Sequence, residues 1–273
     1  MRFGKNYTIN ISSAPIAQSI KGTKELVDNL ANKDTVYYDK QIEHLNASLI
    51  AYSLDPIGYT TELYFRYGLG HRLDMGYRNA SGANAFDVMF QFLGSNKNFN
   101  ESDVGGMYGS IGVQYSWDKF KFTSNCLFNK VDKMFGYELS RKDIIVPIIF
   151  SKSFGPEERT GCFSFGVNYS QTFVTYKVTP KNIYSQVDNT NFGSQLLEPI
   201  NGKVSYSGFG AFINVKVGKR YVFFNFSLSA YYQNYGNYKL IDGSKANFKG
   251  ISILPSYGMQ FNILPKSKKN KLI

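Results

Sequence analysis

Tryptophan occurs once in the 273 residues, histidine and cysteine twice each, and proline eight times. The cysteines, Cys126 and Cys162, make no metal spacing; they fit one disulfide in an oxidising compartment or two free buried thiols. Nothing in the spacing of His44 and His71 supports a metal site, so no metal and no cofactor is expected. No GxSxG, P-loop or dinucleotide fingerprint precedes a helix, and no catalytic residue is nominated on that ground. Uninterrupted apolar runs of about 18 residues are also lacking, which excludes a membrane-spanning helix. A membrane β-barrel passes that test, because its per-strand signal is weak.

Aromatic residues are abundant. There are 23 Phe and 21 Tyr, 43% of the chain is hydrophobic and only 19% is charged. That content excludes disorder, and the length suits one large all-β domain or two ordinary ones. Net charge is +11, from 31 basic and 20 acidic residues. Lys266, Lys268, Lys269 and Lys271 form a solvated basic tail. The rest of the surplus is scattered, which argues against a nucleic-acid patch. The opening MRFGKNYTINIS has no apolar signal core, so an exported protein is here read as a mature chain, its signal peptide absent.

Alternation with period two dominates from about residue 58 to 263. Ile111, Val113, Tyr115 and Trp117 share a face opposite Ser110, Gly112, Gln114 and Ser116. Phe209, Ala211, Ile213, Val215 and Val217 do the same, as do Phe224, Phe226, Leu228 and Ala230, and Ile251, Ile253, Tyr257, Met259 and Phe261. A helix cannot hold one apolar face at spacing two, so these are strands. Further runs lie near 58–67, 72–79, 84–93, 119–126, 143–154 and 162–178. The fold expected is all-β: an antiparallel transmembrane β-barrel of about ten strands, within a range of about 8 to 12. Many runs exceed the five or six residues of a typical globular strand and reach the roughly 9–11 that a tilted membrane strand requires.

Connections between these runs alternate in length. Long ones are expected at 94–104, 127–141, 179–202 and 234–246, and short ones near Asp118, 155–161 and 218–220. Short periplasmic turns and long extracellular loops produce that alternation in outer-membrane barrels. The organisation expected is an N-terminal polar extension or plug-like segment over 1–45, a barrel over 46–264 and a basic tail over 265–273. NASLIAYSL, at 46–54, reads as a possible strand.

The faces opposite the apolar ones carry Glu62, Arg66, Arg72, Asp74, Arg78, Asp87, Lys119, Lys121 and Lys216. An arginine facing lipid at midplane costs about 2–4 kcal/mol, so these charges must face water or one another. Glu62, Arg66, Arg72, Asp74, Arg78 and Asp87 are the candidate site, a charge cluster inside the barrel. Opposite charges there can pair across the ladder, and the basic members could form an anion-selecting constriction. Tyr115 with Trp117, Tyr231, Tyr232 and Tyr235, and Tyr59 and Tyr67 gather toward strand ends, as an interfacial girdle would.

RYGLGHRLDMGYR at 66–78, FDVMFQFLGS at 86–95 and KDIIVPIIFSKSFG at 142–155 resemble strands of Gram-negative outer-membrane β-barrel proteins, with a flavour of the Bacteroidota. The likeness covers most of 46–264. It departs at the C-terminus, where NILPKSKKNKLI follows Phe261 in place of a terminal aromatic. The resemblance implies a cell outer-membrane location, a porin-like barrel with a narrow charged lumen, and a structural, binding or accessory role. Outer-membrane lipids are the implied partners, with other envelope proteins at the extracellular loops and no nucleic acid. A narrow anion-preferring channel and a lipid A-modifying enzyme using His71 with a serine such as Ser81 are the alternatives. A soluble β fold is the architectural runner-up.

Overall fold

Ten antiparallel strands close into a barrel. The computed structural model describes residues 1–12, 36–56, 58–94, 106–120, 134–154, 160–185, 195–219 and 221–263. The barrel strands are β1 (Arg2–Ser12), β3 (Gly58–Gly70), β4 (Leu73–Ala80), β5 (Ala83–Leu93), β6 (Met107–Phe120), β7 (Tyr137–Ser153), β8 (Gly161–Val178), β11 (Ile200–Lys219), β12 (Val222–Lys239) and β13 (Lys245–Asn262). Each pairs with its sequence neighbour in the barrel, and β1 closes the ring between β13 and β3. Short strands β2 (Val36–Tyr37), β9 (Ile183–Ser185) and β10 (Gln195–Leu196) form a separate small sheet. Among the described residues, the helix α1 (Lys40–Leu54) precedes β3.

Several expectations are corrected here. Residues 2–12 are a barrel strand, not part of an extension, and 46–54 belong to a helix, so the barrel does not begin at residue 46. There is no turn at Asp118, because β6 runs unbroken to Phe120. Lys119 therefore keeps the parity of Tyr115 and Trp117 and points outward. The remainder of 119–126, including Lys121 and Cys126, and the tail at 265–273 lie outside the described residues. Residues 234–239 continue β12, which shortens the expected loop to 240–244.

The antiparallel order fixes which connections share an end. Residue 1, Ile263, the turns at 71–72 and 220–221, and the connections 94–106 and 154–160 lie at one end, the terminal end. The connections 13–57, 81–82, 121–136, 179–199 and 240–244 lie at the other, with α1. Removing the Asp118 turn reassigns 94–106 to the terminal end.

Outside, the apolar side chains form rows that stay in register across strands. Val222 faces Phe261, Phe224 faces Met259, Phe226 faces Tyr257, Leu228 faces Pro255, and Tyr232 faces Ile251. One step further toward the helix end the pair becomes Asn234 and Lys249, and beyond it Lys239 and Lys245. The same edge falls on β8 and β11, where Tyr169 faces Phe209 but Gln171 faces Ser207. From Val222 to Tyr232 the apolar run extends about 33 Å along the strand, or roughly 25 Å along the barrel axis at a tilt of about 40°. Tyr115, Trp117, Tyr59, Tyr67 and Tyr232 are exposed on this outer wall. Tyr231 and Tyr235 are not part of it: Tyr231 accepts a hydrogen bond from Asn168 inside, and Tyr235 is buried.

Candidate functional site

The helix end of the barrel is filled by the chain itself. Asp39 caps α1, its carboxylate accepting from the amides of Gln41 and Ile42, which satisfies two of the helix's free donors. Apolar residues recur at helical spacing, and Ile42, Leu45, Leu49, Ile50 and Leu54 are all buried. They pack on inward residues of five strands, among them Tyr137 and Leu139 of β7, Tyr176 of β8, Tyr206 of β11 and Tyr235 and Tyr238 of β12. Burial pushes the Tyr52 phenol up, and burial with the nearby Asp242, Glu43 and Asp39 carboxylates does the same for Tyr38. Both therefore remain neutral against this core.

Asn46 interrupts that apolar surface. It is 1% exposed, and neither its amide nitrogen nor its carbonyl oxygen has a hydrogen-bond partner among the described residues. An unsatisfied buried polar group costs about 1–3 kcal/mol. Asn46→Leu, nearly the same shape, is expected to tighten the seating of the helix by about that amount. Slower amide hydrogen exchange over Lys40–Leu54 is the readout; faster exchange would mean that the amide is satisfied in solution.

Beneath the helix lies a polar floor. Asp55, just past its last turn, accepts from Asn10 Nδ2 at 2.5 Å and from Ser252 Oγ at 2.6 Å. Arg141 Nη1 donates to the Leu54 carbonyl at 3.3 Å, placing a cation at the negative end of the helix. The Arg141 guanidinium also pairs with Asp143 at 3.4 Å, and Asp143 accepts from Ser116 and Thr172. Ser53 Oγ and the Tyr137 hydroxyl, 2.8 Å apart, add one more link between helix and wall.

Toward the terminal end the interior opens into a cavity of about 480 Å³, lined by Arg2, Glu62, Arg66, Arg78, Asp87 and Lys216 among others. The sequence-nominated charges meet here. Arg66 donates to Asp74 at 2.7 Å and to Asp87 at 2.5 Å, and Arg78 donates to Glu62 at 3.3 Å. The register explains the first group. Arg66, Gly76 and Asp87 are direct neighbours on β3, β4 and β5, and the missing side chain of Gly76 lets the guanidinium reach across a whole strand. Arg78 also donates to Gln114.

Arg72 does not join. It sits in the turn between β3 and β4 at φ 66, beside His71 at φ 50. His71 and Ser81 do not meet either, since the 71–72 turn is at the terminal end and the 81–82 turn at the helix end. Cys162 is a buried thiol on the inner face of β8. Gly76 and Gln114, along with the floor residues Asp55, Arg141 and Asp143, escaped the sequence reading. Parity along β7 puts Arg141 and Asp143 inward, but only once the strand is known to begin at Tyr137.

The class of protein defined by these features is a closed antiparallel ten-strand β-barrel with a self-plugged interior. Among solved structures, Neisserial surface protein A (NspA) is similar over 96% of this chain and 96% of its own, at 8% identity and a TM-score of 0.35. Ail, the attachment invasion locus protein of Yersinia pestis, is similar over 95% of this chain and 97% of its own, at 6% identity and a TM-score of 0.32. No protein-family model matches the chain, and no curated protein matches it. The closed strand ladder, and not these likenesses, defines the fold.

Proposed function

We propose that the protein is an outer-membrane β-barrel with a structural, binding or accessory role, closed to solute flow by α1. One observation carries this reading: an outward apolar belt covers the wall, and on β8, β11, β12 and β13 it stops at a polar row, with a height near the roughly 25 Å of a barrel's lipid-facing band. Phe209, Phe226 and Tyr257, exposed by 63%, 57% and 53%, have no place on a wall facing water, where so large an apolar patch is an association site. Lipid is their natural solvent. The terminal end, where every connection but 94–106 is short, is the periplasmic side, and the helix end, which carries α1 and every long connection but that one, faces outward. Polar strand extensions of β8, β11, β12 and β13 then stand above the membrane and hold the helix between them. The charge cluster inside, a narrow charged lumen, braces the wall at membrane depth.

The test combines two measurements. Unheated protein in SDS is expected to migrate apart from boiled protein, as a closed barrel does. Phe226→Arg, in the belt, is expected to lower unfolding free energy in vesicles by about 2–4 kcal/mol. Asn234→Arg, one row beyond the belt edge, is expected to change it by less than about 1 kcal/mol. Equal effects, or a protein soluble without detergent, would reassign the apolar wall to an interface in water.

A further inference from the structure

We propose that the outer wall carries a discrete site for an anionic lipid, with a trough for acyl chain and a cationic rim for a phosphate headgroup. The inference rests on the membrane reading above. Across β8, β11 and β12 one outward row consists of the small or short side chains Val167, Ala211 and Ala230. The next row toward the helix end is bulky: Tyr169, Phe209, Tyr232 and Ile251. The step between rows makes a trough of about 700 Å³, continued over β7 by Val146 and Ile148. It is almost wholly apolar, shaped for hydrocarbon.

At its outer lip the chemistry changes abruptly. The Tyr169 hydroxyl, Ser207 Oγ and Gln171 Oε1 form a hydrogen-bonded group, and outward lysines stand beyond it. Lys249 is the next outward residue after Ile251, and Lys142 lies two outward positions beyond Val146; Lys203 and Lys177 stand farther along β11 and β8. All four are exposed, and none is in an ion pair among the described residues. Glu138 is the direct cross-strand neighbour of Lys177 and offsets its charge, whereas Lys142 and Lys249 lie nearer the belt edge than Glu138 or Asp242 and carry the rim. A lysine near an anionic headgroup is worth roughly five-fold in binding. The arrangement fits an amphiphile with a negative head and an apolar tail, not a zwitterion.

Trp117 provides an intrinsic probe. It is the single tryptophan of the chain and the direct cross-strand neighbour of Lys142. The whole protein is folded into phosphatidylcholine vesicles carrying a minor fraction of dibrominated lipid, either phosphatidylglycerol or phosphatidylcholine. Brominated phosphatidylglycerol is expected to quench Trp117 with an apparent affinity at least about five-fold higher. The double variant Lys142→Gln, Lys249→Gln is expected to lose that preference while keeping its heat-dependent mobility in SDS, which shows that it still folds. Equal quenching by both lipids in the natural sequence overturns the site and leaves the membrane reading intact. Quenching by neither, with protein remaining outside the vesicles, overturns the membrane reading and the site together. Quenching by neither in a folded, inserted barrel of doubled mass assigns the trough to a second copy of the chain.

Discussion

Ile50→Asp is expected to turn a closed barrel into a conducting one. Ile50 is wholly buried in the cluster that fixes α1 between the strands. A carboxylate placed there is surrounded by the apolar side chains and phenol rings of that cluster, and such burial costs more than about 4 kcal/mol. Leaving the mouth removes that cost, and the strand ladder does not depend on the helix for its hydrogen bonds. Planar-bilayer recordings should therefore change from silent to stepwise conductance, while the heat-dependent mobility shift in SDS persists. Protease cleavage at Lys40, the first residue of the helix, should accelerate in parallel. Arg2, Arg66, Arg78 and Lys216 face Glu62, Asp74 and Asp87 inside, so the opened path should favour anions only slightly. A variant that remains silent, with the helix still protected, would place the seal elsewhere.

Gly76→Ala is expected to damage the barrel more than an alanine has any general right to. A Cβ at Gly76 would stand 2.6 Å from Asp87 Oδ2 and 3.1 Å from Arg66 Nη2. The carboxylate and the guanidinium must move, and Arg66 serves Asp74 as well, so two ion pairs loosen. Because the cluster is only partly buried, the loss should be about 2–3 kcal/mol, below that of a fully enclosed pair. Urea unfolding in vesicles measures it. Gly68→Ala is the control: a Cβ there meets nothing within 4 Å, and little change is expected. Equal stability for the two variants would mean that the cross-strand pair contributes nothing.

Strand parity made the outer wall readable before any coordinates. Within the belt, from Ile111 to Trp117 of β6, Phe209 to Val217 of β11, Val222 to Tyr232 of β12 and Ile251 to Met259 of β13, alternate residues are apolar, and those residues do face outward. The expected count of about ten strands agrees with the fold, although the ten are not the same ten. β1 is hidden in the sequence because Lys5 falls on its apolar face, between Phe3 and Tyr7; in the fold its ammonium lies 4.9 Å from the Tyr7 ring centroid, which shelters the charge. The strand taken from 119 onward arose because Asp118 and Lys119 read as a turn, whereas they lie on opposite faces of β6. The helix was missed for a different reason. Its apolar residues are as compatible with a short buried strand as with a helix, and the choice is made by the barrel mouth, which needs a cylinder of side chains. In the cluster, parity brought Glu62, Arg66, Asp74, Arg78 and Asp87 to one face. It also brought Arg72, since a two-residue turn cannot be distinguished from a continuing strand when the charges keep step.

The seam where β1 meets β13 sets an order of events for assembly. Arg2 pairs with Asn262, and the amide of Ile263 donates to the carbonyl of Met1, so the ring is joined by contacts spanning nearly the whole chain. Such joins carry the largest loop-closure entropy and form last. The other nine strands can zip neighbour to neighbour, but the first must wait beside an open edge until the final one arrives. The connection from β1 to β3 carries α1, whose apolar face packs on β7, β8, β11 and β12, so the stretch of chain that bridges the first two staves of the ladder also supplies the stopper of the mouth.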